Sequence, residues 1–361
     1  MKVHQPMEDP DVVRTSEEAR ALEQEPLVVL EPLRAFLDAA GLGSGPLRAH
    51  AIGGGHSNVT YAIVRGERRF VLRRPPRGPL MASAHDVIRE AGLLRALAPS
   101  AVPLPEVLAI CDRPDVIGAP FYVMPFIDGR VLECISPPEF AQHEHEVGEQ
   151  LVDTLAELHA VDATVEALSS FGRPSGYLPR QVARFTQLLS QNATRPLPEL
   201  EKVATWLSGN LPASPATTVV HGDYRLGNSM FAMGTRPQIV ALLDWEMATL
   251  GDPLADVGYM TAMWADPDDE PDPMLKLSEI TRGPRFLRRA QLADRYAQRT
   301  GRDLSALDWY QVLAVWKAAI FLEGSYQRYL AGTTSDSYFA HLGEGVLKLA
   351  RRALQQTQAL S

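Results

Sequence analysis

Cysteine is nearly absent from this sequence: of 361 residues only Cys111 and Cys134 are cysteines. A disulfide framework is therefore not expected, and a reducing cytoplasm fits. No run of about 18 or more apolar residues occurs, so no membrane span is expected. The opening MKVHQPMEDPDVVR lacks an apolar segment and does not read as a secretory signal. Positive charge is in deficit, with 35 Lys and Arg against 44 Asp and Glu and a net charge of -9. A nucleic-acid partner would need a basic face, so none is expected, although local basic clusters remain free to grip phosphates. No internal repeat is visible, and oligomeric state cannot be read from these residues.

What is present is ordinary for a globular protein: 45% hydrophobic and 22% charged residues, enough for one large or two ordinary domains. The chain is organised around Thr218 to Tyr259, TVVHGDYRLGNSMF, a spacer, then QIVALLDWEMATLGDPLADVGY. Thr217 to Val220 and Ile239 to Leu243 read as short buried strands. Just past them come Asp223 and Asp244, and Asn228 follows Asp223 on the intervening loop. Three hard oxygen donors of this kind suit Mg²⁺, which completes its shell with waters and substrate phosphates.

The order H-x-D-x-x-x-x-N followed by an apolar strand ending in Asp matches the second half of the kinase signature set. Gly222 after His221, and Asp244-Trp245-Glu246 in place of Asp-Phe-Gly, lead away from protein kinases. The stretch resembles the aminoglycoside phosphotransferase and choline kinase family. Gly251-Asp252-Pro253-Leu254-Ala255-Asp256-Val257-Gly258 strengthens the match, above all to the phosphotransferase-like domains fused to acyl-CoA dehydrogenases in larger proteins. The resemblance runs from about residue 28 onward. It implies an α+β, protein-kinase-like two-lobe fold with a small β-rich N-lobe and a larger helical C-lobe. It also implies Mg·ATP as phosphoryl donor and a small-molecule hydroxyl as acceptor.

Along the chain, residues 1–27 read as a loose N-terminal arm, 28–125 as the N-lobe and 126–361 as the C-lobe. Val28 to Leu42 has helical spacing, with Leu30, Leu33, Phe36 and Leu37 on one side. Leu47 to Ile52, Val59 to Val64 and Arg68 to Arg73 read as strands, the first two joined by Gly53-Gly54-Gly55-His56-Ser57-Asn58. Such a turn lets backbone N–H groups approach a phosphate, with Ser57 and Asn58 as further donors, or it is simply a turn. The resemblance places the nucleotide-covering loop here, at Gly54, Gly55, Ser57 and Asn58.

Where kinases place a lysine, FVLRRPP places Arg73, which still delivers fixed positive charge. Its neighbour Arg74 reads as a solvated edge-strand residue. Asp86 to Leu97 is an amphipathic helix presenting Glu90, which matches the glutamate that pairs with the strand cation. Val102 to Ile110 and Phe121 to Phe126 read as strands. FYVMPFIDG resembles the hinge that meets the adenine edge, through Met124, Phe126 and Ile127. Glu139 to Ala160 reads as one long helix whose His159 is structural. Helices are also expected over Gln181 to Leu189, Leu197 to Leu211, Arg285 to Thr300, Trp309 to Leu330 and Tyr338 to Leu354.

In phosphoryl transfer Asp223 fits the acceptor of the hydroxyl proton, and Asn228 and Asp244 fit metal ligation. His221 reads as a brace. Arg225 is the second catalytic candidate, and its contact with phosphate stays open. Asp252 opens a turn, and Asp256 accepts backbone N–H bonds from the catalytic loop. Two other functions compete with transfer: nucleotide binding without transfer, and metal-dependent hydrolysis through His221, Asp223 and Asp244. The intact Asp223, Asn228 and Asp244 disfavour the first, and the scattering of the other histidines disfavours the second. Asp266, Asp268, Asp269 and Glu270 either recruit an amine acceptor or form a solvated loop. Trp264, Trp309, Trp316 and Phe321 line a pocket or build the core. The resemblance points toward a hydroxylated acyl acceptor.

Overall fold

In a computed structural model of the chain, the described residues are 9–53, 58–78, 86–132, 135–173, 175–214, 216–332 and 337–360. They divide into two compact units. The first runs through Asp128 apart from Ser100–Pro103, and the second holds that short segment and everything from Gly129 on.

The first unit opens with β1 (Val12–Val13) and α1 (Ser16–Arg20). β2 (Val28–Val29) pairs parallel with β1, and α2 (Leu30–Ala39) follows. This corrects the loose-arm reading over residues 9–25. Thr15 and Glu18 form a reciprocal capping box on α1, a local device that apolar periodicity does not reveal. α2 ends at Gly41, whose φ of 69° takes the left-handed turn that closes a helix.

β3 (Leu47–Ala51), β4 (Val59–Arg65) and β5 (Arg68–Arg74) form an antiparallel meander. α3 (Val87–Leu97) is capped by Asp86, which accepts the Arg89 N–H. β6 (Ala109–Cys111) and β7 (Phe121–Pro125) complete a five-stranded sheet of order β3-β4-β5-β7-β6. The expected strand from Val102 shrinks to Ala109–Cys111. Pro103 and Pro105 have no N–H to give a ladder, so that stretch stays extended and unpaired. Cys111 is buried as a free thiol, and Cys134 lies outside the described residues.

Strand alternation sends Arg73 and Arg74 to opposite faces. Arg74 is 4% exposed, which overturns the solvated reading. Its guanidinium donates to the carbonyls of Leu27, Ile117 and Pro75. Leu27, just before β2, and Ile117, in the loop before β7, supply two of those carbonyls across the fold, and Pro75 supplies the third from the next position in the chain. Burial lowers its pKa to about 10, so it remains a cation at neutral pH.

The second unit begins with β8 (Gly129–Val131) and α4 (Glu144–His159). The long helix expected from Glu139 is broken: a single 3-10 turn at Pro138–Phe140 precedes α4, and residues 141–143 lie outside both. α5 (Tyr177–Asn192) and α6 (Pro198–Gly209) follow. β9 (Thr218–Val220), β10 (Ser229–Ala232), β11 (Ile239–Leu242) and β12 (Thr249–Gly251) form two small antiparallel ribbons, β8-β10-β11 and β9-β12. α7 (Leu254–Met263), α8 (Arg289–Thr300), α9 (Leu307–Leu330) and α10 (Leu342–Ala359) complete the unit. α9 is its axis. Trp316 is fully buried and donates its indole N–H to Leu200 O of α6. Trp264 and Trp309 are core residues, whereas Phe321 is 42% exposed on α9. Among the described residues no helix is long and apolar enough to cross a membrane.

Candidate active site

The second unit positions its carboxylates through two ribbons. β9 is fully buried and carries the chain into His221-Gly222-Asp223. The loop then bends through a short 3-10 turn to Asn228 and enters β10. β10 pairs with β11, and Leu243 N–H donates to Asn228 O at 2.8 Å, so Asp244 leaves β11 beside Asn228. Asp244 has φ of 66°, the one non-glycine residue with positive φ among those described. Such backbone strain is kept where the surroundings hold it for function.

Asn228 Nδ2 donates to Asp223 Oδ2 at 2.7 Å and to Asp223 O at 2.9 Å. Both partners accept only, which fixes the orientation of the amide and leaves its oxygen for another ligand. A carboxylate and a neutral amide oxygen form a hard-donor set of the kind Mg²⁺ takes, with waters and phosphates filling the remaining positions. Among the described residues no three His, Cys, Asp or Glu side chains gather as a metal cluster. Arg225 Nε lies 3.5 Å from Asp223 Oδ1.

The loop is held from beneath by Asp256, on the first turn of α7. Its Oδ2 accepts His221 N–H at 2.7 Å, and its Oδ1 accepts Gly222 N–H at 2.8 Å. Asp256 therefore accepts the loop's N–H groups as expected from the sequence. Gly222 has φ of 84°, and a Cβ there would stand 2.7 Å from Met247 O, so glycine is required after His221. His221 braces as expected. Its Nδ1 accepts Asp223 N–H at 3.3 Å, so Nε2 carries the proton and donates to Leu243 O at 3.0 Å. Asp252 accepts Leu254 N–H in the turn and the Tyr310 hydroxyl at 2.8 Å.

His159 is fully enclosed, with Nε2 3.2 Å from Asp256 Oδ2 and Nδ1 2.6 Å from the Tyr296 hydroxyl. The carboxylate can only accept, so Nε2–H donates and Tyr296 donates to Nδ1; the ring is neutral. Burial lowers its pKa, against the opposing pull of Asp256. The fold therefore binds fewer protons here than the unfolded chain below the ordinary histidine pKa of about 6.5. Stability is then present above that value and lost as pH falls through it. Melting temperature should fall from pH 7 to pH 5, and His159→Gln should flatten the slope. An unchanged slope would remove His159 from the acid response.

Sequence reasoning missed Tyr259, which hydrogen-bonds Asp223. Tyr259 follows Asp256 by one helical turn on α7. Burial pushes its phenol well above the ordinary value, as do the charge of Asp223 and a hydrogen bond to it. The i, i+3 spacing was the available signal. Asp266 and Asp269 of the acidic loop are engaged: Arg289 N–H donates to Asp266 at 3.1 Å, and its guanidinium to Asp269 at 2.5 Å.

In the first unit Arg73 Nε donates to Glu90 Oε2 at 2.9 Å, and Glu90 is 2% exposed. Asn58 is buried, while Gly54, Gly55 and Ser57 lie outside the described residues. Met124 is buried in β7, with Val71 opposite it in β5. Phe126 N–H donates to Arg69 O at 3.2 Å, and the Arg69 guanidinium lies 4.5 Å from its ring centroid. Ile127 is half-buried in the segment where the first unit ends.

A five-stranded antiparallel unit with a buried helix glutamate paired to a strand cation, followed by a helical unit built around this loop, is the α+β protein-kinase-like fold. The chain belongs to the phosphotransferase enzyme family, whose model matches residues 48–313. It is similar to acyl-CoA dehydrogenase family member 10 of Mus musculus, 32% identical over 86% of this chain and 29% of that protein. The chain spans well under half the length of the curated relatives it matches. Among solved structures it resembles a presumptive aminoglycoside phosphotransferase of Ralstonia eutropha, with TM-score 0.75 and 29% identity, covering 91% of this chain and 98% of that one. Choline kinase of Cryptosporidium parvum shares the fold, with TM-score 0.60 and 12% identity over 87% and 90% of the two chains. The family resemblance and fold class read from the sequence are thus met.

Proposed function

We propose that the chain transfers the γ-phosphoryl group of Mg·ATP to a hydroxyl of a small molecule. The observation that carries this reading is the Asp223–Asn228 hydrogen bond at 2.7 Å on a loop whose Asn228 is backbone-bonded beside Asp244. It sets a proton acceptor next to a metal-ligating pair. In the reaction the acceptor oxygen forms a bond to γ-phosphorus, the bond from that phosphorus to the bridging oxygen breaks, and ADP leaves. Asp223 orients the hydroxyl and takes its proton late in a loose transition state. Asn228 and Asp244 would hold Mg²⁺, which neutralises phosphate charge. Arg225, with Nε 3.5 Å from Asp223 Oδ1, helps hold that carboxylate in place. Arg73, fixed by Glu90, supplies positive charge to the phosphates; Asn58, Met124, Phe126 and Ile127 contact the nucleotide.

Isothermal calorimetry with Mg·ATP, followed by ADP formation across hydroxyl compounds, tests the reading. Binding without turnover on any acceptor would favour a nucleotide-binding protein, and turnover without ATP a hydrolase. Arg73→Ala should weaken Mg·ATP binding about tenfold or more, the weight of a charge-assisted contact, and Arg73→Lys should keep part of it. Arg68→Ala, exposed on the same strand, is the control. Equal affinities for the two alanine variants would sink the Arg73 assignment. Arg74 cannot serve as that control, because removing it leaves three buried carbonyls without a donor.

A further inference from the structure

Lys317 lies on α9 within the helical unit, and its surroundings are unusual for a lysine. It is half-buried, donates to Gln181 Oε1 of α5 at 3.2 Å, and stands 4.7 Å from the Phe185 ring centroid. Among the described residues it forms no salt bridge. Arg184, exposed one turn from Gln181 on α5, forms none either and repels it. The charged groups whose fields reach Lys317 are Asp256 of α7, Arg184 of α5 and Asp223 of the catalytic loop. Asp256 is already occupied by two backbone N–H groups and His159. The amine is therefore an under-compensated cation within electrostatic reach of the proton-accepting carboxylate. A protein of net charge -9 that leaves two cations without carboxylate partners at this place has a ready position for an external anion.

We propose that Lys317 is a specificity-determining residue that binds an anionic oxygen of the hydroxyl acceptor, so that the acceptor class is a hydroxylated acid rather than an amino alcohol. The inference rests on the phosphotransferase reading for the acceptor's hydroxyl, but not for the anion site itself. Phe185 shields one side of the ammonium, and Arg184 adds positive field without a fixed bond. The engagement of Asp266 and Asp269 by Arg289 fits the same preference, since it withdraws the acidic loop from recruiting amines.

Lys317 also sets a pH signature. Desolvation lowers its pKa to about 8, against Asp256 and Asp223, which raise it. Anion binding needs the ammonium, so affinity should fall as pH rises through about 8 and be fully present below it.

The test uses the full chain with Mg·ATP analogue bound and a matched probe set: ω-hydroxyalkanoates of three to six carbons, their methyl esters, and the amino alcohols of equal length. Calorimetry reads binding, and ADP release with ATP reads transfer. Wild type should bind the carboxylates most tightly. Lys317→Met should weaken carboxylate binding about 10- to 100-fold, the weight of a charge-assisted hydrogen bond, and leave the esters unchanged. Lys317→Arg should restore binding and abolish the fall above pH 8, because a guanidinium keeps its charge. Carboxylates bound no more tightly than esters, or lost equally with esters in Lys317→Met, would overturn the proposal. ADP release without a preference for carboxylates would overturn it while leaving phosphoryl transfer in place. Carboxylate binding through Lys317 without ADP release would keep the anion site and defeat the transfer reading.

Discussion

Asp223→Asn should bind Mg·ATP with near-normal affinity while kcat falls by about 10²–10⁴, the span expected when a general base is lost. The substitution keeps the shape and removes the charge. The loop beneath it does not depend on the Asp223 side chain: His221 and Gly222 are held by Asp256, and His221 is held again by Leu243 O. What changes are the contacts of the side chain itself. Asn228 Nδ2 and the Tyr259 hydroxyl lose a charged acceptor, and Arg225 loses the carboxylate 3.5 Å from its Nε.

Asp244→Asn should behave in the opposite way. It should weaken Mg·ATP itself, and high Mg²⁺ should partly rescue it. Asn228→Ala should combine both effects in milder form, because its amide nitrogen holds Asp223 and its oxygen is free for the metal. Calorimetric affinity for each variant, with ADP release on any acceptor found, separates the roles. If Asp223→Asn abolishes nucleotide binding while Asp244→Asn leaves it intact, the two assignments are reversed.

The site was legible where it is local and less so where it is not. His221, Asp223 and Asn228 lie within eight residues, so spacing alone brings them together. Asp256 lies farther along the chain, yet it follows β12 and a Pro253 that starts α7, which points its carboxylate back at the loop. Arg74 was misread because alternation states only that it opposes Arg73. Which groups cover that face depends on Leu27 and Ile117, distant in sequence. The break before α4 was hidden for another reason. AQHEHE has no apolar beat, so periodicity cannot tell a polar helical turn from a loop. Lys317 was invisible in AVWKAAIF, which reads as a core helix with one solvated lysine; only the packing of α9 on α5 and α7 shows what it faces.

Asp256→Ala should cost about 3–5 kcal/mol of stability and a large part of turnover together. The carboxylate is fully buried, and its oxygens serve His221 N–H, Gly222 N–H and His159 Nε2–H. Each buried donor left without an acceptor costs about 1–3 kcal/mol. Relaxation and entering water lower the simple sum, which places the loss near that of breaking a buried charged contact. Asp256→Asn should be only partly milder: its amide offers one acceptor where three donors converge, and its NH₂ would confront one of them. The loss falls on the loop that sets Asp223, so hydrogen exchange at the His221 and Gly222 amides should accelerate more than at the α9 core. Urea unfolding gives the global figure. A loss under about 1 kcal/mol, with exchange at those two amides unchanged, would mean that the loop is held by His221–Leu243 alone and that Asp256 is a passenger in it.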